Sequence, residues 1–440
     1  MEPKHQPPPG LDSLPAEIFN SVAESLSRAD LRALCLVNKI VRTFTGPLLY
    51  SKIVWIWEDS KSAPPITQLL RTLVCRPQLS SYITSLHLGG HVGSLGASHY
   101  GDSRVPNFSI DMDRLIAFIQ GTRVRFSDVW IKGVSQVSLL ACYCVQQFMS
   151  LQIILLPDFR HLQKVYFRPT LNGHYRNDKS VKNTEDVLPF SYLPTVEKMK
   201  VAIQTPVHFT ENAARPPVPS RLKALDLTAI RELYLCKVLS ISKSVTNLRW
   251  EMYYDSGIED EVNPPIVDLD SLGAAISHVR DTLEDLTLIG SVDLGGGDQF
   301  DPAVQIKGSL HALVSMHKLS RLQIPLAFLV GFTEDITKRV QEMIPKNVEF
   351  VTLTYDMRNQ NLDSISAPHL PVWDWTDHAV FGLIHSWIQD WKTCTPNLRG
   401  ITLGLWELDP GEWCTDMRDQ LRDLCAQAGV DLAIYEETEI

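Results

Sequence analysis

The sequence predicts an α/β protein in which a three-helix module precedes an irregular solenoid of parallel strands that alternate with helices. Three observations favour this fold. Apolar residues recur at helical spacing within residues 11–53. A short motif, apolar-x-x-apolar-x-apolar, then recurs along the chain, and its period-two ending is typical of a strand with one buried face. Helix-like stretches separate many of the copies, as they do in repeat proteins.

Capping residues and apolar spacing divide the module into three predicted helices. Pro15 suits the first turn of a helix, where its missing N–H costs nothing. Asp30 is the predicted N-cap of the second helix and Asn38 of the third. The third helix is expected to end at Gly46-Pro47. The first helix carries apolar residues at helical spacing, namely Ile18, Val22 and Leu26. So small a module cannot bury all its apolar side chains, so part of its surface is predicted to be an interface.

Three blocks in this module closely resemble the F-box, in its fungal-type form. They are Leu14-Pro15-x-Glu17-Ile18, Asp30-Leu31-x-x-Leu34-Cys35-Leu36-Val37-x-Lys39 and Pro47-Leu48-Leu49-Tyr50. The resemblance covers residues 11–53 and implies docking onto the Skp adaptor of a cullin-RING (SCF) ubiquitin ligase. The adaptor-facing or module-core positions that it implies are Leu14, Pro15, Ile18, Leu31, Leu34, Val37, Leu48 and Leu49.

One feature of many F-boxes is missing. They carry a Trp a few residues after the position of Val37, where this chain reads Asn38-Lys39-Ile40-Val41-Arg42. The difference implies weaker adaptor binding. An ordinary three-helix cap on a larger domain is the alternative interpretation.

Residues 54–440 are predicted to form the repeat domain. The motif copies begin at Tyr50, Ile83, Phe126, Leu162, Val196, Leu222, Leu283, Leu319, Val348 and Leu398. A weaker copy is expected to start at Leu248, in an uncertain register that decides whether Trp250 and Met252 lie on the concave face or in the core. The predicted helices between copies include Leu269–Val279, Ser309–His317 and Thr333–Met343.

The alternation of strands and helices resembles leucine-rich repeats, which implies a parallel-stranded solenoid. The usual Asn or Cys after the third apolar residue is missing, and Ile230 and Ser291 stand at that position in two copies. The spacing of the copies is also uneven, as in the degenerate repeats of F-box proteins. A doubly wound α/β domain is the alternative, although it would more often carry a Gly-rich turn after its first strand.

Composition narrows the classes of protein further. Residues 1–10 form a polar tail that is predicted to be disordered, with no apolar segment of a signal peptide. No apolar run is long enough to span a membrane. The eight cysteines form no CxxC pair, which favours reduced thiols and a cytoplasmic or nuclear location. The net charge of −10, from 41 basic and 51 acidic residues, argues against a nucleic-acid binder.

Basic and aromatic residues lie between the apolar positions of three successive copies, where a solenoid would place them on one face. They are Trp130, Lys132, Lys164, Tyr166, Arg168, Lys198 and Lys200. Such close like charges repel unless a partner neutralises them. We therefore expect this surface to bind an acidic or phosphorylated segment of a protein substrate. The alternative is that the lysines only keep exposed strands soluble.

Tryptophans are concentrated near the C-terminus. A helix predicted to begin near Thr376 carries one apolar face, made of Val380, Ile384, Trp387, Ile388 and Trp391. This face is expected to close the last repeats. Trp373 and Trp375 precede the helix and are the better candidates for an interface, although capping is the preferred interpretation for the cluster as a whole.

No pattern in the chain predicts catalysis or metal binding. His87, His91 and His99 lie in or near a Gly-rich segment, but no Cys or carboxylate completes a recognised ligand spacing. Gly290–Asp301 contains acids and glycines without the spacing of an EF-hand or a P-loop. No catalytic residue, metal ligand or cofactor site is therefore predicted.

Taken with the resemblance, the residues predict a non-catalytic substrate receptor of an SCF ubiquitin ligase, with the Skp adaptor bound at the module and a protein substrate on the repeats. Neither nucleic acid nor a membrane is an expected partner. An F-box scaffold that is not coupled to ubiquitin transfer is the first alternative. An α/β enzyme with a module that only resembles an F-box is the second.

Overall fold

The computed structural model describes residues 14–58, 69, 72–73, 76–91, 161–168, 193–202, 219–255, 264–293, 304–335, 337–358, 371–406 and 415–437. The protein is α/β, with parallel strands that alternate with helices. It comprises two units, Met1–Thr170 with Pro189–Val196 and Leu171–Leu188 with Glu197–Ile440. Within the described ranges, no helix combines the length and the apolar character that crossing a membrane requires.

The first unit begins with three helices and continues with three strands. The helices are α1 (Ala16–Glu24), α2 (Arg28–Val37) and α3 (Lys39–Ser51). The strands are β1 (Lys52–Glu58), β2 (Ser85–His91) and β3 (Lys164–Arg168), and a 3-10 helix covers Pro77–Tyr82. The strands pair in parallel in the order β1-β2-β3, and the register aligns Ile53 with Leu86 and Val165. All three aligned side chains are buried.

Local hydrogen bonds explain where two of these helices begin, and they correct one prediction. The N-cap of α2 is Ser27, whose Oγ accepts a bond of 3.2 Å from the backbone N–H of Asp30. Asp30 is therefore inside the first turn, and the prediction that it caps the helix is wrong. Asn38 caps α3 as predicted, because its Oδ1 accepts a bond of 2.8 Å from the N–H of Val41.

The end of α3 also differs from the prediction. The helix does not stop at Gly46-Pro47 but runs through Pro47 to Ser51. The residues that follow the proline, Leu48 and Leu49, pack against the core of the module. Tertiary packing of this kind supplies most of the stability of short helices and outweighs the backbone bond that a proline removes.

The second unit holds the larger sheet. Eight strands pair in parallel, in the order β4 (Lys198–Ala202), β5 (Ala224–Thr228), β6 (Asn247–Asp255), β8 (Asp285–Asp293), β10 (Arg321–Pro325), β11 (Phe350–Thr354), β12 (Gly400–Trp406) and β13 (Asp431–Glu437). A separate parallel pair joins β7 (Ile266–Asp268) to β9 (Gln305–Lys307).

Helices connect several of these strands. They are α4 (Glu232–Ile241), α5 (Leu269–Ile276), α6 (Leu326–Val330), α7 (Asp377–Cys394) and α8 (Thr415–Ala428). Shorter 3-10 segments cover Ser277–Val279, His311–Ser315 and Val340–Glu342. Two predicted helices are therefore wrong in type or extent. His311–Ser315 is a 3-10 helix, and only Val340–Glu342 of the predicted Thr333–Met343 is helical within the described residues.

Two rows of aligned apolar side chains form the core beneath the eight-stranded sheet. The first row joins Met199, Leu225, Leu248, Leu286, Leu322, Val351, Ile401 and Leu432. The second contains Val201, Leu227, Trp250, Leu288, Ile324, Leu353, Leu403 and Ile434. Every motif copy predicted within the described residues coincides with one of the strands of the two units. The copy at Phe126 lies outside those residues.

The burial pattern corrects the predicted start of the weak motif copy near Leu248. Val245, Leu248 and Trp250 are all buried, so the copy begins three residues earlier than predicted. Trp250 and Met252 lie in the core rather than on the open face. The indole Nε1 of Trp250 donates a bond of 2.8 Å to the carbonyl of Ile230, which allows this polar atom to be buried.

Candidate docking surfaces

The three N-terminal helices enclose a small core of their own. Phe19, Ala23, Leu31 and Val41 are buried, and the rings of Phe19 and Phe44 lie 5.5 Å apart. Partly buried side chains complete this core, namely Leu26, Leu34, Phe44, Leu48 and Leu49. Because these side chains already fill the space between the helices, further apolar residues of the module must face outward.

Six large apolar side chains remain exposed on these helices or directly before them, and we call the six residues together the apolar docking face. They are Leu14, Ile18, Val22, Leu36, Val37 and Ile40. Ile18 and Val22 lie four residues apart on α1 and so share one side of that helix, and Leu14 lies just before its first residue, Ala16. The other three surround the junction of α2 and α3, where Leu36 is 86% exposed and Val37 is 60% exposed. Single exposed apolar residues are ordinary, but six of them on so small a module are typical of an interaction site.

The structure separates the residues that were predicted to face an adaptor or form the module core. Leu14, Pro15, Ile18 and Val37 are exposed and belong to the surface. The others contribute to the core, with Leu31 buried and Leu34, Leu48 and Leu49 partly buried.

Sequence reasoning missed three surface residues, Val22, Leu36 and Ile40. The signal was present in α1, whose apolar residues form two neighbouring stripes. Phe19 and Ala23 face the core, while Ile18 and Val22, one position earlier, face outward.

Positive charge accompanies the docking face on α2. Arg28, Arg32 and Leu36 follow one another at four-residue spacing, so they lie along one side of the helix. Partial burial, together with the like charge of Arg32, lowers the pKa of the Arg28 guanidinium. A carboxylate from a partner would relieve this repulsion.

The predicted basic surface is described only in part. Lys164 and Tyr166 lie on β3 in the first unit, where the Tyr166 ring is 5.3 Å from the ring of His87 on β2. Arg168 ends the same strand. Trp130 and Lys132 lie outside the described residues.

In the second unit, basic residues on the open face of the sheet pair with carboxylates of the chain itself. Lys198 is exposed at the start of β4. The Nζ of Lys200 lies 2.8 Å from Asp226 on β5, and Arg249 on β6 lies 3.0 Å from Asp226 and 2.9 Å from Glu251. Partial burial lowers the pKa of Arg249, but the two carboxylates outweigh it and raise the pKa overall. The charge of Lys200 is therefore balanced within the sheet, which weakens the argument that it requires an acidic partner.

The tryptophans before α7 pack inward more than predicted. Trp375 is buried, and its Nε1 donates a bond of 3.2 Å to the carbonyl of Gly331. The interpretation of Trp375 as an interface residue is therefore wrong, since its indole stabilises the fold. Trp373 is half-buried and meets the ring of Tyr355 edge-on, at 5.7 Å between centroids. The helix α7 begins where it was predicted, with Thr376 as its N-cap. Of its predicted apolar face, Val380, Ile384, Trp387 and Ile388 are buried and Trp391 is half-buried.

Within the part of the chain that is described, no group of three or more His, Cys, Asp or Glu side chains could hold a metal ion. Of the three histidines considered from the sequence, His87 packs against Tyr166, and His99 lies outside the described residues.

No protein-family model matches this chain, and no curated protein matches its sequence significantly.

Proposed function

We propose that this chain is a non-catalytic substrate receptor of an SCF ubiquitin ligase. In this proposal the three N-terminal helices are an F-box that binds the Skp adaptor, and the remaining chain is a degenerate leucine-rich-repeat domain that binds a protein substrate. The observation that carries the proposal is the apolar docking face, which stands exposed beside a core that is already filled.

The energetics favour a partner that covers this face. Fully burying a Leu, Ile or Val side chain contributes about 1.5–3 kcal/mol. The six side chains of the docking face are already partly covered, so their burial would contribute less than six times that value. Association and side-chain ordering cost a large part of the gain. Charge complementarity would add to the remainder, and Arg28 and Arg32 favour an acidic partner surface.

The repeat body supports the second half of the proposal. Parallel strands in register, with two continuous apolar rows beneath them, form a rigid support for a bound protein. Holding a substrate there would raise the local concentration of its lysines near the ubiquitin-charged enzyme of the ligase. The candidates for contact with an acidic or phosphorylated segment are, separately, the exposed Lys164 of the first unit and the exposed Lys198 of the second.

Copurification with a Skp adaptor tests the proposal. We expect the full chain to form a one-to-one complex and the double variant Ile18→Glu/Val37→Glu to lose it, because each change places a charge in a desolvated apolar contact. Both positions are exposed, so the variant should unfold at the same temperature as the parent. The matched control is Val314→Glu/Val372→Glu, which changes two exposed apolar residues of the second unit and should leave the complex intact.

A second readout separates ubiquitin transfer from mere scaffolding. The reconstituted ligase, supplied with ubiquitin and its activating and conjugating enzymes, should modify proteins that copurify with the chain, and the docking-face variant should not support this. A stable adaptor complex without any transfer would favour the scaffold alternative. A folded parent chain that binds no adaptor would exclude both.

A further inference from the structure

A cysteine and a histidine meet in the second unit, where two connecting helical segments contact each other. Cys236 lies in α4, and His278 lies in the 3-10 segment that follows α5. The Sγ of Cys236 is 3.2 Å from the Nε2 of His278. Cys236 is half-buried and His278 is exposed, so small molecules can approach the pair from solvent.

Buried neighbours hold both side chains in place. Leu235 and Leu239 anchor α4 in the core on either side of Cys236, and Ile276 and Val279 do the same around His278. Each of these four side chains is at most 1% exposed to solvent. The contact therefore joins two fixed elements, and its geometry does not depend on a mobile surface chain.

The other described cysteines lack such a partner. Cys35 meets the hydroxyl of Thr45 at 3.1 Å, and a hydroxyl cannot take up a proton as an imidazole does. Cys425 is fully buried, and this burial raises the pKa of its thiol to about 11. Cys394 is half-buried near the end of α7. The chain thus provides cysteines in contrasting environments for comparison.

We propose that Cys236 is a nucleophilic thiol assisted by His278 and is a site of reversible mixed-disulfide formation with low-molecular-weight disulfides. The Nε2 of His278 accepts the proton of the thiol, and the resulting thiolate attacks one sulfur of the incoming disulfide. A new S–S bond forms at Cys236 while the disulfide's own S–S bond breaks. The leaving thiolate takes a proton from the imidazolium, so Cys236 is oxidised and half of the disulfide is released as a reduced thiol.

This inference does not depend on the proposed ligase function. A mixed disulfide would add a polar group on the exposed side of α4, next to the apolar side chain of Leu233, which is itself exposed. The unit could then present two forms of this surface, set by the supply of disulfide and of reducing thiol.

Site-resolved mass spectrometry tests the proposal on the full chain. The reduced protein is treated at pH 7 with oxidised glutathione as the probe, and the rate is measured separately at each cysteine. His278 lies within hydrogen-bond reach of the Cys236 thiol and can take its proton as the sulfur attacks, whereas Cys35 contacts only a hydroxyl. We therefore expect Cys236 to react about five to ten times faster than Cys35 or Cys394, with Cys425 slowest.

The decisive variant is His278→Gln, which keeps a polar side chain but removes the base. It should lower the rate at Cys236 to that of Cys394 and leave the other cysteines unchanged. The matched control is His311→Gln, because His311 also contacts a sulfur, with its Nδ1 3.3 Å from Sδ of Met343. Thermal unfolding of both variants excludes a general loss of structure. An equal rate at Cys236 in the parent and in His278→Gln would overturn the proposal.

Discussion

Arg231 and Glu232 are neighbours in sequence and are almost completely buried at the start of α4. The Nε of Arg231 lies 3.0 Å from a carboxylate oxygen of Glu232, and its two terminal nitrogens donate to the carbonyls of Pro264 and Ile266. Glu232 in turn accepts a bond of 3.0 Å from the N–H of Asp268. These bonds tie α4 to the segment around β7 and satisfy two charges that would otherwise be costly to bury.

We predict that Arg231→Leu lowers the free energy of unfolding of the second unit by about 3–5 kcal/mol, because it leaves the Glu232 charge buried without its partner. The double variant Arg231→Leu/Glu232→Leu should recover part of this loss, since no charge then remains. Urea denaturation followed by circular dichroism measures both. Arg280→Leu, which removes an exposed pair with Asp281, is the control and should change stability little. A double variant as unstable as the single would contradict this explanation.

At the scale of single elements, the strands were predicted better than the helices. Each motif copy within the described residues became a strand, because period-two apolar spacing depends only on which face is buried. The copy predicted to start at Leu248 starts at Val245 instead. Trp250 and Met252 follow Leu248 with the same alternation of apolar residues, so the sequence allows more than one register. Neither α8 nor β13 was predicted. In β13, Leu432 and Ile434 have the spacing of the last two apolar positions of the motif, but the first apolar position is missing.

The candidate site was predicted only to the level of the module. Apolar residues of the same types stand on both sides of α1, and tertiary packing decides which stripe is covered. Sequence spacing therefore located Ile18 but could not separate it from the core residue Phe19. The N-cap of α2 was misplaced for a related reason, because Ser27 and Asp30 are both good capping residues and hydrogen-bond to each other.

Helix capping gives a prediction for α3. Asn38→Ala should destabilise the start of this helix by about 1 kcal/mol, because the N–H of Val41 loses its acceptor. Hydrogen exchange followed by mass spectrometry should then show faster exchange in peptides that cover the first turn of α3. Thr43→Ala is the matched control, since its hydroxyl only donates back to the carbonyl of Lys39 within the same helix. Equal exchange in both variants would mean that the cap contributes nothing.

At the scale of the whole molecule, the strands of the large sheet in the second unit lie side by side in parallel, so the surroundings of a strand depend on its place in the strand order. Leu286 is fully buried, and its register partners are Leu248 on one side and Leu322 on the other. Leu432 occupies the same row on β13, the last strand of the sheet, where it is half-buried and pairs with Ile401 on one side. A leucine side chain therefore has a register partner on both sides at Leu286 and on one side at Leu432.

This difference allows a prediction with identical chemistry at both sites. Leu286→Ala should lower the free energy of unfolding by about 2–5 kcal/mol, because it removes a buried side chain and leaves a cavity between two neighbouring strands. Leu432→Ala should cost clearly less, because the leucine is only half-buried and the edge can relax around the smaller residue. Urea denaturation of the full chain compares the two variants directly. Equal losses would show that stability along the row is not a sum of contacts between neighbouring strands, and the explanation from strand position would then be wrong.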